Sequence, residues 1–228
     1  MVTCLPELEK VLLTGDAYQL PAYAYHLKGQ VLDGGLESVI TAVQRRKTVP
    51  TSALSISYRP HPALVEVQKA LYNDRLKSGL TQEQRNLLAS VGFPLPNAAI
   101  PLVLINTPHE HQRAACGSRY NLEQEELVLD LLAHLRSQFP VASIVTKERW
   151  FPLTRPREAL FILGDIDFLA AGCAWSTFFA NAVRKTHIVD AKYIRRLTTR
   201  ESVTTDDIRA PTSFSMFPAG PVPMNIES

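Results

Sequence analysis

Hydrophobic residues gather into four short, nearly continuous runs along this chain. They are KVLLTGD at Lys10–Asp16, PLVLIN at Pro101–Asn106, ASIVT at Ala142–Thr146 and ALFILGD at Ala159–Asp165. Runs of this length, rich in branched residues and apolar at successive positions, predict strands covered on both faces, as in a parallel sheet. Between them the period lengthens to that of a helix. In Asn121–Gln138 the residues Leu127, Val128, Leu131, Leu132 and Leu135 form one apolar stripe. Asn121 is the expected N-cap, and Gln124 is spaced to complete a capping box. Ala63–Leu76 and Phe168–Lys185 read as two further amphipathic helices. Strands alternating with helices predict a doubly wound α/β sheet that binds ligands at the carboxyl ends of its strands. Beyond about Asp190 the periodicity is lost. The segments TTRESVTTDD and APTSFSMFPAGPVPMN are polar and proline-rich, which predicts a flexible tail over residues 191–228. No internal repeat is present.

Composition narrows this picture only modestly. The 228 residues are 46% hydrophobic and 20% charged, enough apolar material for one sizeable α/β core. Net charge is +2, from 24 basic and 22 acidic residues, too balanced to argue for nucleic acid on its own. Cys4, Cys116 and Cys173 lie far apart and match no zinc or disulfide spacing, so they read as free thiols in a reducing compartment. No run approaches the roughly 20 apolar residues of a membrane span. The N-terminus has no basic flank and apolar run of a signal peptide. The expected location is intracellular, cytoplasmic or nuclear, with no membrane partner.

Candidate chemistry begins just beyond the first apolar run. Asp16 and Gln19, in GDAYQL, follow an expected strand end, where a carboxamide can report on a phosphate or its attacking water. Asp16 capping a turn beside a solvated Gln19 is an equal alternative. A second polar group follows in SISYRPHPALVEVQKALYNDRLKSG at Ser55–Gly79.

Taken in order, these segments resemble the superfamily 1 helicases of the Upf type, the nonsense-mediated-decay and senataxin-like group. GDAYQLP and YRPHPALVEVQKALYNDRL are similar to that family's Gly-Asp-x-x-Gln-Leu-Pro and Tyr-Arg-Met-His-Pro motifs, with Pro60 in place of the methionine and Leu71–Tyr72 standing for Phe-Tyr. GSRYNLEQEELVLDLL at Gly117–Leu132 resembles its Ser-x-x-Asn-x-x-Glu segment, with Gln124 where glutamate is expected. ASIVT resembles the strand that continues into Thr-Pro-Tyr, although Lys147–Glu148 follow here. LTRPREALFILGD at Leu153–Asp165 is similar to Leu-Thr-Arg-Ala-Arg and its following strand, and Leu169 and Trp175 sit at family-like positions beyond it. The resemblance covers roughly Lys10 to Asp190.

That likeness implies a RecA-like P-loop NTPase fold, a parallel sheet flanked by helices, as the second helicase domain over residues 1–190. It implies that Arg59 and Arg155 meet the γ-phosphate, that Tyr58 stacks on adenine and that Gln19 senses the γ-phosphate. A guanidinium is suited to charge building on a departing phosphoryl group. The alternatives are surface ion pairs for Arg59 and Arg155 and simple packing for Tyr58. His61 and Pro62 are expected to be scaffold for the turn before a helix. Arg157 is either a second phosphate or strand contact or a solvated arginine.

Three family elements are missing from the sequence. It contains no Gly-Lys of a phosphate-binding loop, no Asp-Glu of the magnesium-binding pair and no Gln-Gly of the coupling motif. The expectation is a truncated helicase fragment that lacks the first RecA-like domain and the Gln-Gly region. Such a fragment would supply half of an ATP cleft and part of a nucleic-acid surface, and would be inactive alone. ATP and magnesium would then bind only with a chain carrying the first domain, and the polymer would be single-stranded RNA or DNA. The alternative is a non-catalytic nucleic-acid-binding or protein-interaction module derived from such a helicase. The basic sets Lys69, Arg75, Lys77, Arg85 and Arg45–Arg46–Lys47 fit a binding groove or a solvated helix face.

Overall fold

The run at Leu102–Asn106 forms the middle strand of a three-stranded parallel sheet, and its side chains alternate between two separate cores. The structure is a computed structural model that describes residues 10–16, 39–47, 49–108, 112–113, 115, 119–140, 156–171, 173–199 and 201. Two compact units make up the chain, Met1–Leu54 and Ser55–Ser228. In the first, Val39–Arg46 is helix α1. The second starts with β1 (Ile56–Ser57), α2 (Pro62–Gln68), a 3-10 turn at Lys69–Tyr72, β2 (Lys77–Ser78), a 3-10 turn at Gln82–Arg85 and α3 (Leu87–Ser90). The central strand β3 (Leu102–Asn106) follows, then the short antiparallel pair β4 (Gln112–Arg113) and β5 (Arg119–Tyr120), and α4 (Leu122–Gln138). Last come β6 (Leu160–Gly164), α5 (Ile166–Ala171), α6 (Cys173–Ala182), β7 (Ile188–Asp190) and α7 (Lys192–Thr199).

The sheet order is β6-β3-β7. Leu102 through Asn106 pair with Leu160 through Gly164 on one side, and Leu104 through Asn106 pair with Ile188 through Asp190 on the other. Successive strand side chains point to opposite faces. On one face Leu102 and Leu104 join Leu64 and Val67 of α2, Ile166 and Ala170 of α5, and Phe178, Phe179 and Ala182 of α6. On the other, Val103, Ile105 and Val189 meet Leu127, Leu131 and Leu135 of α4 and Tyr193, Ile194 and Leu197 of α7. This is why β3 is apolar from Leu102 to Ile105: both of its faces are covered. The chain is thus a mixed α/β protein with a parallel sheet flanked by helices, consistent with the RecA-like P-loop class.

Two of the four expected strands are present, as β3 and β6. ASIVT lies outside the described residues. KVLLTGD is corrected: Lys10–Asp16 is no strand, and Leu12 is 87% exposed. Strand propensity is realised only where a neighbour takes up the backbone hydrogen bonds and a layer covers the side chains. Among the described residues no strand pairs with this run.

The helices are shorter than their patterns predicted, except α4. Helix α2 gives way to the 3-10 turn and ends where Asn73 and Asp74 take positive φ of 51° and 56°, a conformation that asparagine and aspartate tolerate. The Asn181 amide donates to the Glu66 and Val67 carbonyls near the end of α2, at 3.1 and 2.9 Å. The expected helix at Phe168–Lys185 is two helices, α5 and α6. The predicted boundary at Asp190 is also corrected. Residues 192–199 form α7, whose Tyr193, Ile194 and Leu197 are buried, with the Tyr193 hydroxyl donating to the Pro94 carbonyl at 3.0 Å. Burial of those three side chains is worth roughly 1.5–3 kcal/mol each, which holds the segment on the sheet. The rest of the expected tail, residues 202–228, lies outside the described residues.

Candidate functional site

Tyr58 and Arg59 leave the end of β1, which runs parallel to β2 with Ile56 beside Lys77 and Ser57 beside Ser78. Past that pair, the Gly79 N–H donates to the Ser57 carbonyl at 2.9 Å. The Tyr58 ring lies directly against Gly79, where any side chain would collide with it. Glycine at position 79 lets the ring approach the backbone this closely, and a side chain there would push the ring away. Tyr58 nevertheless remains 64% exposed, so it is a surface ring on a glycine seat and contributes little to the core.

Arg59 is exposed, and Pro60 and His61 behind it are buried. The His61 ring caps α2: Nδ1 accepts from the Ala63 N–H at 3.0 Å, with Pro62 in the first helical turn. Burial pulls the His61 pKa below its ordinary value, against an opposing pull from Glu158. A neutral ring is what an acceptor at Nδ1 requires. The scaffold expectation for His61 and Pro62 matches this geometry.

The second arginine-bearing segment arrives at the same place. The His61 N–H donates to the Arg157 carbonyl at 2.7 Å, which ties YRPHP to TRPRE. Arg157 is exposed, and neither its guanidinium nor that of Arg59 has an ion pair among the described residues. Arg85 lies between the two segments. Its Nε donates to the Arg59 carbonyl at 3.2 Å and faces Glu158 Oε1 at 3.8 Å. Glu158 Oε2 accepts from the Leu87 N–H at 3.4 Å. A shallow cavity lined by His61, Arg85, Asn86, Leu88, Pro101 and Glu158 lies behind these contacts. The sequence puts Arg85 in a basic set that fits either a binding groove or a solvated helix face, and it gives Glu158 no role. Their partnership joins residues far apart in the chain, and no local pattern encodes it. Lys69, in the same basic set, is paired with Glu66 at 2.6 Å, and that carboxylate raises its pKa.

At the carboxyl end of the sheet the polar residues are used structurally. Asn106 Oδ1 accepts from the Ile166 N–H at 3.0 Å, and Asp165 Oδ1 accepts from the Phe168 N–H at 2.9 Å, which caps α5. Asn121 accepts from the Gln124 N–H at 3.1 Å as expected. The Gln124 side chain turns to the residue just after β3 instead, donating to both the carbonyl and the hydroxyl of Thr107 at 3.0 Å.

The remaining candidates are placed only in part. Gln19 and Arg155 lie outside the described residues. In the first unit, Asp16 is half-buried and the Gly15 backbone lies against the Ile40 side chain. No group of three or more His, Cys, Asp and Glu fit to hold a metal ion occurs among the described residues. No described helix is long and apolar enough to cross a membrane.

Residues 36–148 match the family model of an AAA domain. That domain is found in Upf-type superfamily 1 helicases, so this segment is similar to a helicase-like domain. The match includes Tyr58, Arg59, His61, Arg85 and Gln124, and stops before Arg155. No curated protein matches the chain.

Proposed function

We propose that this chain supplies one wall of an ATP cleft in a helicase that acts on single-stranded RNA or DNA. Tyr58 is the platform for adenine, and Arg59 and Arg155 are the contacts to the γ-phosphate. The observation that carries this reading is the hydrogen bond from the His61 N–H to the Arg157 carbonyl. It joins the Tyr-Arg turn to the residues directly after Arg155, and two guanidiniums can share one phosphate only if their loops meet. An exposed aromatic ring followed directly by the exposed Arg59 fits a base and its phosphates.

Magnesium fits less well. The sequence has neither the Gly-Lys of a phosphate-binding loop nor an Asp-Glu pair, and the described residues offer no metal-binding group. The lysine, the magnesium ligands and the residue that orients water must come from a Walker-bearing domain. ATP and magnesium are therefore shared with that domain, and the chain by itself performs no hydrolysis.

The test is reconstitution. The full chain is mixed with a separately expressed first RecA-like domain of a Upf-type helicase, and ATP hydrolysis is followed with and without single-stranded RNA or DNA. The expected result is hydrolysis by the mixture alone, lost on Arg59→Ala or Arg155→Ala. Hydrolysis by the unmixed chain, or a mixture that behaves as the added domain does by itself, overturns the reading.

A further inference from the structure

We infer that Arg85 and Glu158 are positioning residues, a clasp that holds the backbones carrying Arg59 and Arg157 side by side with both guanidiniums turned out. This rests on the phosphate reading for the purpose of the clasp, but its geometry stands independently. The contacts close a ring. From the Arg59 carbonyl, Arg85 Nε is 3.2 Å away, and the same guanidinium faces Glu158 at 3.8 Å. Glu158 is bonded along the chain to Arg157, whose carbonyl accepts from His61 at 2.7 Å, and His61 leads back through Pro60 to Arg59.

Each member is suited to that task. Arg85 also donates from Nη1 to the Gln84 carbonyl at 3.0 Å, so its planar head is fixed on two backbone oxygens. Its side chain is 19% exposed and that of Glu158 29%, so the pair is partly shielded from solvent. Glu158 is anchored at its other oxygen by the Leu87 N–H. An ion pair at 3.8 Å adds little on its own. Its value here is geometric: Glu158, one residue along from the Arg157 carbonyl that His61 holds, offsets the charge of Arg85 where that guanidinium holds the Arg59 backbone. Positioning of a reactive group to within about an ångström is worth orders of magnitude in rate where phosphate is transferred.

The test uses the full chain labelled with 15N, as wild type, Arg85→Ala, Arg85→Lys and Glu158→Ala. Amide hydrogen exchange at His61 and Leu87 reports the clasp, and exchange at Val103 and Ile105 reports the core. The Nε–H signal of Arg59, titrated with ATP in the presence of an unlabelled first RecA-like domain of a Upf-type helicase, reports the phosphate contact. In Arg85→Ala and Glu158→Ala we expect exchange at His61 and Leu87 to quicken at least tenfold with the core amides unchanged. The ATP response of Arg59 should need about tenfold more nucleotide. Arg85→Lys keeps the charge but not the planar fork, and should leave Arg59 impaired. If an alanine variant loosens the core amides as well, Arg85→Lys decides. Unchanged His61 exchange and a wild-type Arg59 response in Arg85→Lys overturn the clasp. A wild-type chain whose Arg59 signal ignores ATP in that mixture overturns the phosphate reading instead, whatever the exchange shows.

Discussion

The His61 N–H and the Arg157 carbonyl are 2.7 Å apart, although 96 positions separate the two residues (157 − 61). That bond brings a turn near the start of the second unit to the strand entry of β6, and it brings Arg59 within the neighbourhood of Arg157. His61 is fixed at both ends, through this N–H and through Nδ1 on the Ala63 N–H.

Loss of the ring acceptor should be felt in α2. His61→Ala removes an N-cap and should cost about 1 kcal/mol of unfolding free energy in urea titration. His61→Asn keeps an acceptor at the cap and should recover most of it.

The same ring predicts a pH dependence. Burial lowers the folded-state pKa of His61 below its ordinary value of about 6.5, so in mild acid the unfolded chain binds the proton first. The contribution is therefore complete above about pH 6.5 and is lost as pH falls through the folded value. The charge of Glu158 opposes the shift, and Arg85 lies beside that carboxylate. Unfolding free energy measured between pH 8 and pH 5 should fall further for the wild type than for His61→Asn. Parallel curves for the two proteins would contradict the assignment.

Gln124 stands where the resembling family has glutamate, and here its amide gives two hydrogen bonds to Thr107. An ionised carboxylate can give none and would face a carbonyl oxygen. Gln124→Glu should therefore destabilise the fold by about 1–3 kcal/mol at neutral pH. The loss should shrink in acid, where a protonated carboxyl can donate once.

Helix α7 was invisible to the pattern because its buried Tyr193, Ile194 and Leu197 are interleaved with Lys192, Arg195 and Arg196 and followed by threonines. Tyr193 is fully buried, which pushes its hydroxyl well above the usual tyrosine range. Tyr193→Phe should cost about 1–3 kcal/mol by leaving the Pro94 carbonyl without its donor, and Tyr193→Ala about 3–5 kcal/mol. A thermal melt indistinguishable from wild type for Tyr193→Ala would mean that α7 is not docked.

What the sequence disclosed follows a physical division. PLVLIN and ALFILGD were legible because strands covered on both faces are apolar at every position, and Asn121 because a cap acts on its own helix. KVLLTGD misled because hydrophobicity shows a wish for cover and not its supply. Strand β7 was missed because Ile188–Asp190 has only three residues. Of the candidate site, the scaffold role of His61 and Pro62 was readable from a short motif. The Arg85–Glu158 contact was not, since nothing local in the chain joins the two residues.

The most direct test of the nucleotide reading is paramagnetic broadening by a spin-labelled ATP bound to the full chain paired with an unlabelled first RecA-like domain of a Upf-type helicase. The account predicts that the Tyr58 ring and the Arg59 and Arg155 guanidinium signals fade together at low nucleotide excess, while those of Arg195 on α7 stay sharp. Uniform broadening, or loss of signal at α7 with Tyr58 and Arg59 untouched, would contradict it.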